Sequence, residues 1–390
     1  MSVSDVKFQP ILRSGRLYPS TRVPQLQTPS IANWIGSRTA VTSAFLSSCE
    51  SFSVGRSALL EALRRSGIGP GAKVLAPAFH CRSMVDPVIR LGAQPVFYDL
   101  TKGLWLDEVS VEAQATGATA LILAHYFGFP SNLAFASKFC ADRRIVLIED
   151  CAHALYGEHE GAPLGTTGQY AIASAWKFLP SFDGGLLRDN THRVRALARA
   201  PGLGSEVSGL LQLARGTARR VLADEGTSEP NAREFVAEAR RALKTPLPVF
   251  STSDSLSSTD TSLAGLRTSR WILRTSRHGR IAEKRRRNYE AWLKGTKDVL
   301  GATPLFPELP PTLVPYAFPL LLSDPEPAFS ALKMAGIPMW RWEDMAETTC
   351  STANHYREHL IQLPLHQELS ESQVAWMIST VRSVLAELHG

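Results

Sequence analysis

The sequence predicts an α/β protein: a large domain on a mainly parallel sheet, then a small C-terminal α/β domain. Three observations lead there. Between about residues 55 and 190, short apolar runs alternate with amphipathic helical stretches. The apolar runs are continuous, as in strands buried on both faces, and such strands pair in parallel through helical crossovers. Finally, 390 residues exceed one average domain, and the composition shifts past residue 200. These features divide the chain at 1–265 and 266–390.

The elements follow in order. Residues 57–66 (SALLEALRRS) read as an amphipathic helix stopped by the Gly-Pro-Gly of GIGPGAK. GIGPG precedes a strand, so it reads as a turn and not as a dinucleotide-binding fingerprint. Strands are predicted at 73–76, 94–100, 118–127, 144–150, 170–176 and 185–188. Helices are predicted at 83–91 and 132–142 between them. Residues 200–257 are rich in Ala, Arg, Ser and Gly and read as helices joined by loops. One or two long helices span 263–293. A Pro-rich connector at 304–315 leads into the small domain.

Hydrophobic residues make up 44% and charged residues 20%, the balance of a soluble globular protein. The net charge of +6 is mild for this length and compatible with attraction of phosphorylated small molecules. Basic residues cluster only at 284–287. That run reads as a solvated helix face, and no nucleic-acid-binding signature accompanies it. The five cysteines form no CxxC pair, which argues against zinc and disulfides and for reduced thiols in the cytoplasm. The N-terminus lacks the apolar core of a signal peptide, and no run of about 18 apolar residues could span a membrane.

Three stretches carry chemistry. Gly55, Arg56 and Ser57 open the first helix, where free N–H groups and the helix dipole can cradle a phosphate. Alone, Ser57 reads equally as a cap. Asp150, at the end of an apolar strand in IEDCAHA, can pair with a protonated pyridine nitrogen or cap the next element. Lys177 ends a strand and precedes a Pro/Gly turn in SAWKFLPSFDGG. A lone lysine would be a surface residue, whereas a Schiff-base lysine needs a lowered pKa. Met339–Asp344 (MWRWED) reads as core packing with a surface pair, or as a pocket wall where Arg341 meets an anion.

Together these stretches resemble the DegT/DnrJ/EryC1/StrS sugar aminotransferases, of fold type I among pyridoxal-phosphate (PLP) enzymes. The matching motifs, in order, are GIGPGAKVLAP, LGAQPVFYDL, HYFGFP, EDCAHA, GTTGQYAIAS, KFLPSFDGG and the late LPLH. The resemblance covers roughly 50–190 and returns at 281–385. It implies that Lys177 is the catalytic, Schiff-base lysine and proton shuttle, and that Asp150 pairs with the pyridine nitrogen. His153 would contact the phenolic oxygen. Ser174 would bind phosphate with Gly55, Arg56 and Ser57. The usual aromatic over the ring falls in PAFHC, where Cys81 stands at the position and His80 or Phe79 could stack. The chain departs from the family in a shorter approach to Lys177, in Gln169 replacing an Asp, and in a Ser/Thr-rich 251–261 replacing an Asn-Tyr-Arg segment that reaches the partner subunit.

The resemblance further implies a homodimer, an amino-acid donor such as glutamate, and a keto acceptor such as a nucleotide-linked keto sugar. No metal is expected, nor a nucleic-acid or membrane partner. Two alternatives stand beside transamination. Dehydration or another PLP reaction could use the same fold, although dehydrating members replace the lysine by His. A binding or regulatory protein is argued against by the joint presence of Asp150, Ser174 and Lys177.

Overall fold

The computed structural model describes residues 6–10, 18–30, 33–35, 39–47, 49–191, 202, 204–209, 211, 231–243 and 264–390. The Ser/Thr-rich stretch at 251–261 lies outside them, as does much of the predicted helical region between 200 and 257.

The first part of the chain builds one sheet from seven described strands. They are β1 (Glu50–Phe52), β2 (Lys73–Pro77), β3 (Gln94–Tyr98), β4 (Ala118–Ala124), β5 (Val146–Cys151), β8 (Tyr170–Ser174) and β9 (Gly185–Asp189), in the order β1-β9-β8-β5-β4-β2-β3. A small hairpin, β6 (Glu158–His159) with β7 (Ala162–Pro163), lies outside it. Strands β3, β2, β4, β5 and β8 pair in parallel, while β9 and β1 add antiparallel at one edge. The continuous apolar runs are the cause: ALILA of β4 and YAIA of β8 are buried at every residue, which suits strands covered on both faces.

Helices α1 (Gly55–Arg65), α2 (Arg82–Arg90), α3 (Glu108–Gln114) and α4 (Leu133–Arg143) separate these strands. Helix α1 packs on β8 and β9, α2 on α1 and β3, and α4 on β5. The mainly parallel α/β sheet is the predicted fold class. Past residue 230 come α5 (Ala232–Leu243), α6 (Arg267–Thr275) and the long α7 (His278–Thr296). A three-stranded antiparallel sheet then orders β10 (Ala302–Pro304), β11 (Ala317–Leu322) and β12 (Leu360–Pro364) side by side. Helices α8 (Pro325–Met334), α9 (Ser351–His359) and α10 (Glu371–His389) complete this region. A capping box at Ser370 and Gln373 starts α10.

Two expectations need correction. The strand predicted to run to residue 127 stops at Ala124, because Tyr126–Gly128 is a 3-10 turn. The basic run at 284–287 is not one solvated face: Arg285 is buried, because it falls on the same helical stripe as Ile281, Tyr289 and Trp292. Among the described residues, no helix is long and apolar enough to cross a membrane. All five cysteines are free.

Candidate active site

Parallel strands present their carboxyl ends on one side of a sheet, and ligands bind there. Asp150 is the penultimate residue of β5, Ser174 ends β8, and Cys81 follows the loop after β2. The chain folds α1 back so that its N-terminus meets this edge. Gly184 and Gly185 make the approach feasible. A Cβ on Gly185 would lie 2.1 Å from the Val54 carbonyl oxygen, and Gly184 sits at φ +146°. The Gly184 amide donates to the Ser53 carbonyl (3.1 Å), and its carbonyl accepts from the Ala175 amide (2.7 Å). The cradle at residue 55 and the turn that carries Lys177 are thereby joined through one glycine pair.

A cavity of about 340 Å³ opens at this junction, a size suited to a small cofactor. Gly55, Arg56, Cys81, Asp150, Ser174 and Lys177 line it. A larger open cleft of about 640 Å³ lies along α7, and none of the sequence candidates line it.

The groups around the smaller cavity fit a phosphorylated, pyridine-type ligand. The N-terminus of α1 has no side-chain cap, so its first amides remain available to an anion. Ser57 does not itself line the cavity, but its hydroxyl is buried without a hydrogen-bond partner, an orphan that a phosphate oxygen at the helix start would satisfy. Gly55 leaves room beside Ser174, whose Oγ would lie 3.4 Å from a Cβ at that position.

Asp150 is held by the Ala152 amide, which donates to Oδ1 (2.8 Å). Burial pushes the Asp150 carboxyl above its ordinary value, opposed by that amide and by the charge of Lys177. Burial lowers the Lys177 ammonium pKa, opposed by Cys81 and Asp150. Each charge is therefore costly without the other, or without a ligand. Lys177 sits in a 3-10 turn, Ala175–Lys177, just beyond β8, and its Nζ lies 5.4 Å from the ring centre of Tyr316.

His153 does not line the cavity. Its ring stacks on Tyr316 (4.4 Å, 27°) and Phe127 (5.5 Å, 28°). Nδ1 accepts from the Phe127 amide (3.4 Å), so the proton sits on Nε2. Burial, then the charge of Lys177, depresses its pKa far below the ordinary value.

His80 is also turned away. Its buried ring stacks on Phe97 at 5.0 Å. Nε2 accepts from the Ala346 amide (3.3 Å), which leaves Nδ1 to donate to the Cys81 carbonyl (3.2 Å). With both nitrogens engaged, burial drops its pKa to about 4. Phe79 likewise packs inward, on Trp342 and Tyr126. The residue that this loop presents to the cavity is Cys81. Arg341 does not line the cavity either: it is buried against Glu343, with its guanidinium 4.0 Å from the ring centre of Phe329.

One supporting residue was not predicted. Glu149, beside Asp150, is buried and accepts from His125 Nε2 (3.1 Å) and from the amides of Gly165 (3.0 Å), Thr167 (2.7 Å) and Gly168 (2.7 Å). Because His125 Nδ1 accepts from the Ser131 amide, Nε2 is the donor. Burial opposes the charge of Glu149. The His125 bond and the loop amides outweigh it and hold the carboxyl below its ordinary value. Alternation along β5 was the available signal, since adjacent strand residues face opposite sides. Gln169, at the position of the family's Asp, accepts from the Leu147 amide (2.8 Å) and so anchors β5.

The chain is similar to known proteins in sequence and in fold. Residues 30–205 match the model of the DegT/DnrJ/EryC1/StrS aminotransferase family. A UDP-4-amino-4-deoxy-L-arabinose–oxoglutarate aminotransferase of Shewanella sediminis is 32% identical over 48% of this chain and 47% of its own length. The chain thus spans about half the length of that relative, and less of the other curated relatives of similar identity. A UDP-N-acetyl-3-dehydro-alpha-D-glucosamine 3-aminotransferase of Acidithiobacillus ferrooxidans is 25% identical over 86% of this chain and 83% of its own. In fold, the chain is similar to the crystal structure of the aminotransferase TlmJ from Streptoalloteichus hindustanus. The TM-score is 0.65 at 22% identity, over 88% of this chain and 87% of TlmJ. Motif order, sheet topology and the family match over residues 30–205 converge: this part of the chain is similar to the DegT/DnrJ/EryC1/StrS aminotransferase family.

Proposed function

We propose that this chain is a PLP-dependent aminotransferase that moves an amino group from glutamate to a nucleotide-linked keto sugar. The observation that carries the reading is the meeting of Asp150, Ser174 and Lys177 around one cavity at the uncapped N-terminus of α1. The names of the relatives support the substrate class, and oxoglutarate in the name of the Shewanella sediminis protein is the keto counterpart of glutamate.

In this reading the amides of Gly55 and Arg56, the hydroxyls of Ser57 and Ser174 and the charge of Arg56 would hold the cofactor phosphate. Asp150 accepts a hydrogen bond from the pyridine nitrogen and keeps it protonated. His153, stacked on Tyr316 and outside the cavity lining, is assigned no contact with the cofactor. Cys81 takes the place of a stacking aromatic, and His80 has no role. When bound, the cofactor supplies an electron sink conjugated to the amino group. Lys177, whose ammonium pKa is lowered by desolvation, would hold the cofactor through its neutral amine and would move a proton at the α-carbon of the donor. Residues 1–265 would be the cofactor-holding unit and 266–390 the second unit. The protein would work in the reducing cytoplasm as a homodimer, whose second copy would cover Phe182, 47% exposed at the cavity.

Spectroscopy tests this. Protein purified with PLP should be yellow and should bleach with L-glutamate, and Lys177→Ala should lack the chromophore. A protein that stays colourless after PLP is supplied refutes the assignment. A yellow protein that L-glutamate never bleaches refutes the donor.

A further inference from the structure

Three buried polar side chains from distant parts of the chain converge on the backbone of the lysine turn. They are Gln27 from the N-terminal segment, Arg285 from α7 and Gln367 from the loop after β12. All three are at most 7% exposed. Gln27 Nε2 donates to the carbonyls of Trp176 and Leu179, the latter at 2.9 Å. Arg285 donates to the Lys177 carbonyl (2.9 Å), and Gln367 Nε2 donates to the Phe178 carbonyl (2.9 Å). Four consecutive carbonyls, 176 to 179, are therefore each held by a side chain.

The three also hold one another. Arg285 Nε donates to Gln367 Oε1 (3.2 Å), and a terminal nitrogen donates to Gln27 Oε1 (3.5 Å). The other terminal nitrogen reaches the carbonyls of Tyr316 (3.0 Å) and Pro315 (3.4 Å). The guanidinium stacks over Phe178, 4.6 Å from its ring centre. Among the described residues, Arg285 has no carboxylate within ion-pair distance, so its charge is carried by carbonyl and amide oxygens alone. An apolar side chain is usually the more stabilising occupant of such a place. A buried fork whose donors reach the backbone of one turn is suited to fixing geometry.

We infer that Gln27, Arg285 and Gln367 are positioning residues for Lys177. They lock the turn so that only the lysine side chain moves during proton transfer. This rests on the reading of Lys177 as the cofactor-bearing proton shuttle. A backbone pinned at four successive carbonyls returns the amine to one place after each swing. A loosened turn would misplace it, and misplacement by about 1 Å costs about 100-fold in rate.

The experiment uses the holoenzyme and whichever of L-glutamate or L-glutamine bleaches it, each protiated and α-deuterated. The variants are Gln367→Met, Gln27→Met and Arg285→Lys; the two near-isosteric Met variants remain informative if the lysine variant fails to fold. The expected result is a normal lysine-linked chromophore, a donor concentration for half-maximal bleaching rate within about twofold, and a maximal single-turnover bleaching rate lowered by about ten- to 100-fold. The deuterium effect on that rate should rise as proton transfer becomes rate-limiting. Unchanged bleaching rate and isotope effect in both Met variants overturn the inference. So does a parallel loss of chromophore, bleaching rate and thermal stability with the isotope effect unmoved, since that marks a merely structural role. A wild type without the lysine-linked chromophore removes the underlying reading, and the inference with it.

Discussion

Replacing Glu149 by Gln should destabilise the protein strongly, although Glu149 touches no ligand in the proposed reaction. Its Oε1 accepts the amides of Thr167 and Gly168, and its Oε2 accepts His125 Nε2 and the Gly165 amide. A carboxamide presents one oxygen and one NH₂ group, so two of these four donors would face another donor. Turning over the His125 tautomer does not help, because Nδ1 would then carry the proton against the Ser131 amide. Hydrogen bonds to charged groups are worth about 1.5–3 kcal/mol each, so losing two costs about 3–6 kcal/mol. With a urea m-value of about 3 kcal/mol/M, the midpoint should fall by about 1–2 M. The folded carboxyl lies below its ordinary value. Its contribution is therefore present above the unfolded pKa, about 4.3, and fades as pH falls through the folded pKa. The gap between wild type and variant should be full at pH 7 and should narrow below about pH 4. A midpoint shift equivalent to less than about 1 kcal/mol at pH 7, or a gap that widens in acid, would refute the reasoning.

Three further outcomes follow from the cavity. Asp150→Asn should still bind PLP but slow the donor half-reaction by about 100-fold or more, read as the rate of bleaching, because a neutral amide cannot hold the pyridine nitrogen protonated. Ser57→Ala should raise the PLP dissociation constant by about ten- to 100-fold in a fluorescence titration, through loss of one hydrogen bond to a charged group; an unchanged constant would return Ser57 to a purely structural role. Burial lowers the Lys177 pKa, so its amine is neutral at lower pH than a free lysine. The rate of PLP attachment to the apo-protein should rise with pH and level off below about 10.4, the ordinary lysine value. A rate still climbing through that pH would contradict the lowered pKa of Lys177.

Most of the sheet was legible because its strands are continuous apolar runs, a pattern set by burial on both faces. What escaped was short or polar. Strand β1 is three residues, Glu-Ser-Phe, and exists through its antiparallel pairing with β9, a partner more than 130 residues away that no local pattern reveals. Helix α3 begins with an Asp107 cap whose side chain accepts from the Ser110 amide (2.9 Å). That cap was readable, but only Val111 of the helix is buried, so no apolar stripe advertised it.

The candidate site divides along the same line. Asp150, Ser174 and Lys177 were visible because strand ends and glycine turns fix where they stand. His80 was misread because one position along an extended loop decides which side chain faces the cavity. The sequence FHC offers three chemically plausible neighbours, and the bonds of His80 to Ala346 and Cys81 turn it away. Arg285 was hidden differently, inside a basic run that suggested solvent. Its spacing from Ile281, Tyr289 and Trp292 is that of a buried helical stripe. A charged residue on such a stripe must find polar partners in the interior or be excluded from it. Here the partners are backbone carbonyls of the lysine turn, so the break in the apolar pattern of α7 marks the point where this helix reaches the candidate site.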